Sequence, residues 1–279
     1  MSHEPEVDIV IVNWNTGTLL MECLTSLYAD PYVRKRGNII VVDNDSRDDS
    51  YDFGRHGNIS STVFARMAAN LGFARACNKG ARLGSARQLL FLNPDTRVPA
   101  GAVKRSIETL RRRPDVGALG IRLFGEGAEV QRSCARFPTL SSLLGSMFGM
   151  QYWWPGFEGL TMSDWPHDES RNVDHVIGAY YLLDRQLFES LGGFDERYFV
   201  YLEDLDLSKQ ISQQGLNVYY EADIDAYHLG GGSSSEVRDR RLYYSIESRF
   251  LFALKHLGKI RGVLVILATF AFEMPVRTV

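Results

Sequence analysis

Short apolar runs alternate with amphipathic stretches along the first 123 residues of the chain. Val7 to Val12 is an apolar, mostly β-branched run, short enough to favour a buried strand over a helix. Leu19, Leu20, Cys23, Leu24 and Leu27 then recur on one helical face, predicting a helix from a Thr16 cap to about Tyr28. Strands are predicted over Asn38 to Val42, Ser61 to Met67, Gln88 to Leu92 and Val116 to Leu123. Helices are predicted over Phe73 to Leu83 and over Ala100 to Arg113, the second stopped by Pro114. Strands alternating with helices give a parallel sheet covered on both faces. Ligands of such sheets bind beyond the carboxyl ends of the strands. Asn13, Asp43 and the turn Asn93-Pro94-Asp95 all fall there.

The pattern changes after residue 123. Phe124 to Asn172 is rich in Gly, Ser, Pro and Trp, with Trp153-Trp154-Pro155-Gly156, and reads as a loosely structured variable insertion over the acceptor side. Val173 to Leu183 is strand-like, and Arg185 to Leu191 is a short helix closed by Gly192-Gly193. Leu202 to Gln214 is helical up to Gly215, Leu216 to Tyr220 a strand, Gly230 to Ser235 a flexible loop, and Tyr243 to Leu257 a helix. Four regions follow: a ligand-binding α/β half (1–123), the insertion (124–172), a second half of the same domain (173–241) and a C-terminal helical segment (242–279).

Of the 279 residues 45% are apolar, enough for a sizeable core in one large domain or two small ones. The net charge of -3 and pI near 6.1 supply no basic field for nucleic acid, which is not expected as a partner. Cys23, Cys77 and Cys134 are odd in number and far apart, which suits buried reduced thiols of a cytoplasmic protein. The polar start of the chain lacks a signal-peptide order. Gly262 to Phe272 is nearly all apolar and follows Lys255, Lys259 and Arg261. It is shorter than the ~20 residues a bilayer requires. Two readings fit it: a buried terminal helix, or a basic-flanked helix lying on the inner face of the plasma membrane.

Several polar residues sit where chemistry is expected. Asp95, on the turn after a strand, is placed to hold a hard divalent cation such as Mg2+ or Mn2+ against a diphosphate, although Asn-Pro-Asp-Thr is also ordinary turn chemistry. Asp43-Asn44-Asp45-Ser46 offers an acceptor for a pyrimidine N3–H, or a helix-capping turn. Trp14 can stack on that base or belong to the core. Asn70 to Gly80 opens a helix whose N-terminus favours phosphate. There Arg75 and Asn78 share a face, against the ordinary expectation of a solvated arginine. Glu203-Asp204-Leu205-Asp206 follows the aromatic run Tyr198 to Tyr201. Acids at a helix start also favour the macrodipole, while one desolvated carboxylate would make a general base. Asp204 and Asp206 point apart, so one can face a site and the other solvent. His228 precedes a glycine-rich loop and Arg238, Arg240 and Arg241, a segment able to close over a diphosphate.

The order and spacing of these pieces resemble family 2 glycosyltransferases of the GT-A fold, in the branch of bacterial rhamnosyltransferases. The matching residues are Asn13-Trp14-Asn15, Val41 to Ser46, Asn70 to Ala74 with Asn78, Leu92 to Thr96, Gly192 to Glu196, Glu203 to Asp206 and His228. The resemblance implies a Rossmann-like, mostly parallel central sheet flanked by helices, with an acceptor-side subregion and a C-terminal helical segment. It implies a donor-nucleotide side made of Asn13, Trp14, Asn15, Asp43, Asn70, Arg75, Asn78 and Asn93. Asp95 and His228 are implied as ligands of Mg2+ or Mn2+, with Asn93 replacing the first acid of the family's metal motif. Asp204 falls at the catalytic-base position with Glu203 beside it, and Arg238 becomes a diphosphate lid. The implied reaction is inverting sugar transfer, with L-rhamnose from dTDP-L-rhamnose as the donor the branch suggests. The acceptor would be a saccharide or polyprenyl-linked saccharide in cell-surface polysaccharide synthesis. The oligomeric state is open. A nucleotidyltransferase would carry a glycine-rich basic loop where Asn13 to Gly17 stands. The alternative of another class is a catalytically silent GT-A module that binds sugar or membrane.

Overall fold

The computed structural model describes residues 4–52, 62–150, 154, 156–157, 159–230 and 238–273. Strand β1 (Val7–Asn13) is buried along its whole length and lies between β2 (Gly37–Asp43) and β4 (Gln88–Leu92), parallel to both. Beyond β2 runs β3 (Thr62–Arg66), also parallel. The helices between these strands are α1 (Leu19–Ala29), α2 (Pro31–Arg36) and α3 (Phe73–Arg82). After β5 (Thr96–Arg97) and α4 (Ala102–Arg112) comes β6 (Val116–Phe124), parallel to the long β11 (Asn217–His228).

Side chains of β1 alternate between two cores, as a pleated strand requires. Ile9 and Ile11 pack with Leu20 and Leu24 of α1 and Ile107 of α4. Val10 and Val12 pack on the opposite face with Ala74 and Cys77 of α3 and with Leu207 and Ile211. The result is a sheet sandwiched between helices. Asp8 is wholly buried in this strand because its carboxylate accepts from Arg185 (2.5 Å), the Ala86 amide (2.8 Å) and Asn38 (2.8 Å).

Several expectations change in detail. The sheet keeps its expected helix-flanked, mostly parallel plan but is mixed, in the order β3-β2-β1-β4-β10-β6-β11-β5. β10 (Tyr180–Asp184) runs antiparallel between β4 and β6 and leads into α6 (Arg185–Ser190). The apolar stretch Val173 to Leu183 is also not one strand. It breaks into the end of β8 (Arg171–Val173), then β9 (His175–Val176), then β10, with Ile177 to Ala179 between. The stretch 124–172 is built rather than loose over its described residues. β7 (Cys134–Ala135) pairs with β9, and α5 (Leu140–Met147) starts in a capping box between Thr139 and Ser142. Trp153 and Pro155 lie outside the described residues, as do Ser61 and the loop beyond Gly230. Thr16 does not cap α1; its hydroxyl donates to Asn13 Oδ1 at 2.5 Å. All three cysteines are buried free thiols.

The C-terminal part begins with α8 (Arg238–Phe252), a π-helical turn (Ala253–Leu257) and α9 (Lys259–Ala268). One side of α9 is buried at Gly262 and Val265, the latter in a small cluster with Leu143 and Ala253. The other side exposes Ile260, Val263, Leu264 and Leu267. No helix among the described residues is long and apolar enough to cross a membrane.

Candidate active site

A cavity of about 1060 Å³ opens where the strand-end rule puts it. Trp14 and Asn15 after β1, Asn44 and Asp45 after β2, and Asn93 to Asp95 after β4 form one wall. Asn15 and Asp45 take positive φ angles of 49° and 66°, which Asn and Asp tolerate better than other side chains. Across the cavity stand Phe199 to Asp204, and α8 contributes Arg240, Arg241, Tyr244 and Arg249. Gly72 lets the two walls meet: at φ 92°, a Cβ there would lie 2.4 Å from the Phe199 carbonyl oxygen.

Asp95 and His228 meet at one end of this cavity. β5 pairs with the end of β11, setting Thr96 opposite His228. His228 Nε2 then lies 3.3 Å from Asp95 Oδ1, both residues being over nine-tenths buried. Gln131 fixes the imidazole. Its amide donates to the His228 carbonyl (2.6 Å), so its Oε1 accepts from Nδ1–H (2.9 Å). That leaves the Nε2 lone pair beside a carboxylate oxygen and 3.3 Å from the Asn93 amide nitrogen, a weak contact that a cation would replace. Adjacent ligands of an octahedral ion with bonds of about 2.1 Å lie about 3 Å apart, close to the spacing here. The pair fits a divalent cation that takes its remaining ligands from diphosphate and water. Among the described residues no cluster of three or more His, Cys, Asp or Glu side chains forms a complete protein cage.

Glu203 and Asp204 open α7 (Glu203–Gln213) on the far wall. Tyr201 and Leu202 just before them both hold left-handed φ angles, 70° and 65°. Such strain in non-glycine residues costs about 1–3 kcal/mol each and persists only where surrounding structure enforces it. Asp204 accepts from the amides of Gly178 (2.7 Å) and Leu205 (2.8 Å). The bare Gly178 allows this approach, since a Cβ would sit 3.2 Å from Asp204 Oδ2. The neighbouring Ala179 carbonyl accepts from the Asn93 amide (3.2 Å) and Thr96 Oγ1 (3.4 Å). Two consecutive residues therefore tie the Asp95 turn to the Asp204 carboxylate. Glu203 is 5% exposed, and its Oε2 has no hydrogen-bond partner among the described residues. Burial first, and the charge of Asp204 second, push its carboxyl well above the usual range.

The structure gathers Trp14, Asn15, Asn70, Asn93, Asp95, Glu203, Asp204 and His228 around one cavity. Asn13, Asp43, Arg75 and Asn78 do not line it. Asn13 and Asp43 are fully buried behind the wall, where Asn13 Nδ2 donates to Asp43 Oδ2 (2.8 Å) and the Ser46 amide to Asp43 Oδ1 (3.1 Å). Asn78 binds both backbone groups of Phe194, at 2.8 and 2.9 Å, and so fastens a loop. Arg75 pairs with Glu196 at 3.5 Å outside the cavity lining. In this structure the polar atoms of these four meet framework partners. Asp206 does not face solvent. It is fully buried and accepts from Lys255 (2.7 Å), His256 (2.7 Å) and Gln210 (2.8 Å). The side chain of Arg238 lies outside the described residues, while its neighbours Arg240 and Arg241 line the cavity.

The sequence model of glycosyl transferase family 2 matches residues 8–191, about two thirds of the chain. The chain belongs to glycosyl transferase family 2. It is 26% identical over 271 residues to an N-acetylglucosaminyl-diphospho-decaprenol L-rhamnosyltransferase of Mycobacterium tuberculosis, covering 90% of this chain and 85% of that one. It is 28% identical over 225 residues to the O-antigen biosynthesis protein RfbC of Myxococcus xanthus, covering 80% of this chain but 17% of that protein. The mannosyltransferase PcManGT from Pyrobaculum calidifontis, solved with GDP-Man and Mn2+, superposes with a TM-score of 0.62. That superposition covers 97% of this chain and 76% of the other at 18% identity, a likeness of fold. This family 2 member therefore has the GT-A fold, a mixed and mostly parallel sheet flanked by helices, and is a glycosyltransferase resembling rhamnosyltransferases. The family match ends before Glu203, Asp204 and His228, whose placement is a finding of the geometry.

Residues that sequence reasoning passed over complete this glycosyltransferase site. Gln131 and Gly178 carried no signal of their own, one in the insertion and one inside an expected strand. His175 sits in the cavity wall with Nε2 at 3.7 Å from Asp204 Oδ2. Arg136 and Leu143 reach the cavity from the stretch taken as loose.

Proposed function

We propose that the protein is an inverting, metal-dependent rhamnosyltransferase that takes L-rhamnose from dTDP-L-rhamnose. Its acceptor is a saccharide, free or polyprenyl-linked, in cell-surface polysaccharide synthesis. The observation that carries this reading is the placement of the Asp95–His228 pair and the Glu203-Asp204 pair on one cavity, tied through Gly178 and Ala179. The named activity of the mycobacterial relative supports the choice of sugar and of lipid-linked acceptor.

Asp95 and His228 hold Mg2+ or Mn2+, as the Mn2+ in the structural neighbour also suggests. When bound, the ion supplies positive charge against the departing diphosphate. Trp14, Asn15, Asn70 and Asn93 line the side on which the nucleotide is held. Asp204 takes the proton of the acceptor hydroxyl at a carboxylate oxygen. The acceptor oxygen, so deprotonated, attacks the anomeric carbon, and the leaving diphosphate keeps the electron pair of the bond it breaks. Glu203, buried beside Asp204 and disposed to stay protonated, places a hydrogen-bond donor near the acceptor. Arg240 and Arg241 line the cavity on the α8 side and add positive charge near the diphosphate. We place the protein in the cytoplasm at the inner face of the plasma membrane. There the exposed apolar side of α9, with Lys259 and Arg261 beside it, lies against anionic lipid.

The test is direct. A nucleotide-sugar panel with Mn2+ should raise Tm most with dTDP-L-rhamnose, and nucleoside-diphosphate release should require an acceptor. Asp204→Asn should lower turnover by at least ~100-fold while leaving the donor-induced Tm shift in place. Near-normal turnover by that variant refutes the assignment of the base.

A further inference from the structure

Behind Asp204 runs a buried line of three polar side chains that neither the sequence nor the family match singles out. Tyr181 of β10 is wholly buried, and its hydroxyl lies 2.9 Å from Ser208 Oγ. Ser208, fully buried on α7, lies 2.9 Å from His175 Nδ1. His175 is 4% exposed, and its other nitrogen faces Asp204 Oδ2 at 3.7 Å.

The direction of this line can be worked out. Among the described residues the Tyr181 hydroxyl has Ser208 as its one hydrogen-bond partner. A buried O–H without an acceptor costs about 1–3 kcal/mol, so the tyrosine proton goes to Ser208 Oγ. Ser208 then gives its own proton to His175 Nδ1. A neutral imidazole with Nδ1 accepting carries its hydrogen on Nε2, the atom that faces Asp204. Burial lowers the His175 pKa, outweighing the opposing pull of Asp204 and Asp174, so the ring remains neutral. Asp204 thus meets an N–H dipole and no second full charge. A cation at this position would weaken the carboxylate as a base, whereas a dipole orients it at less cost in basicity.

We propose that His175, held as the Nε2–H form by Tyr181 and Ser208, is a positioning residue that steers the Asp204 carboxylate toward the acceptor hydroxyl. The inference rests on the reading of Asp204 as the general base. At 3.7 Å the contact is longer than a hydrogen bond, as is common before substrate closes a site. The other titratable groups around Asp204 are Glu203 beside it, Cys77 of α3 and Tyr181, with Asp174 next to His175. Asp206 turns to the opposite side, into Lys255 and His256.

Three variants test this in the full chain, with dTDP-L-rhamnose and Mn2+ as donor and cofactor. His175→Leu removes the N–H at similar volume and should lower kcat about tenfold. Losing a dipole that favours the ionised form should also move the acid limb of the pH–rate profile to higher pH by about one unit. The donor KM and the donor-induced Tm shift should stay within about twofold of the wild type, which also shows that the variant folds. His175→Gln places an amide N–H near the same point and should recover most of the rate. An unchanged kcat and pH profile in His175→Leu overturns the proposal. So does a loss of rate with an unmoved acid limb and no rescue by glutamine, which would mark a packing role only. Asp204→Asn keeps the two readings apart. If it is inactive while His175→Leu is normal, the positioning role alone fails. If it remains active, the base assignment falls and takes this inference with it.

Discussion

Asp206 links the start of α7 to the C-terminal π-helical turn, and its removal offers a sharp test of how the site is supported. The carboxylate is fully buried and accepts from Lys255, His256 and Gln210, with the Tyr198 hydroxyl at 3.3 Å. In Asp206→Ala the His256 ring loses its Asp206 hydrogen bond in a site where its side chain is 4% exposed. Lys255 keeps Asp195 at 2.9 Å. Removing one partner of a buried ion pair costs about 3–5 kcal/mol. The surviving Lys255–Asp195 pair places the expected loss at the low end, about 3 kcal/mol. For a domain of this size that is a fall in Tm of about 6–12 °C. The assay is thermal unfolding with urea denaturation at fixed pH, comparing Asp206→Ala with wild type. Glu203 and Asp204 lie within one turn of Asp206, so kcat should fall more than donor affinity. A Tm within about 3 °C of the wild type would show that the clamp contributes little and refute the reasoning.

Glu203 gives a pH-dependent prediction. Its carboxyl is raised in the folded protein, so the native state holds this proton more tightly than the unfolded chain does. Stability from this group is then lost as pH rises from the unfolded value of about 4.3 towards the raised native one. Glu203→Gln should therefore gain stability over the wild type between pH 5 and pH 8, read from urea midpoints; an equal difference at both pH values contradicts it. Gln131→Ala frees the His228 ring and should weaken Mn2+ binding about 10–100-fold in a calorimetric titration. Unchanged affinity would count against a metal at Asp95 and His228. Gly72→Ala should lower Tm by several degrees and reduce donor binding, because its φ of 92° and the Phe199 carbonyl leave no room for a methyl group. A variant with wild-type Tm and donor affinity would show that this contact of the two walls yields easily.

Much of the site was readable before any coordinates. Short apolar runs and helical amphipathic stretches located β1, β2, β4, β6, α3 and α4 to within two residues, because each is decided by its own side chains. The strand-end rule pointed to Asn13, Asp43 and the turn Asn93-Pro94-Asp95, and of these the turn lines the cavity.

Which polar residues at those strand ends turn inward was settled only by tertiary contacts. Asn13 and Asp43 look as suited to a ligand as Trp14 does, yet each is consumed by the other across 30 residues. Asn78 is committed to Phe194 at a separation of 116 residues, while the half-exposed Arg75 pairs with Glu196. The antiparallel insertion of β10 is equally invisible locally, because strand direction depends on the neighbours a strand meets and not on its own side chains. His175 looked like part of a strand and became a neighbour of Asp204 because β9 pairs with β7 and α7 lays Ser208 against its ring. Local chemistry fixed which elements form and where a donor would lie. The hydrogen-bond partners of each buried carboxylate and imidazole were fixed by contacts distant in sequence, and those partners determine which groups remain to do chemistry.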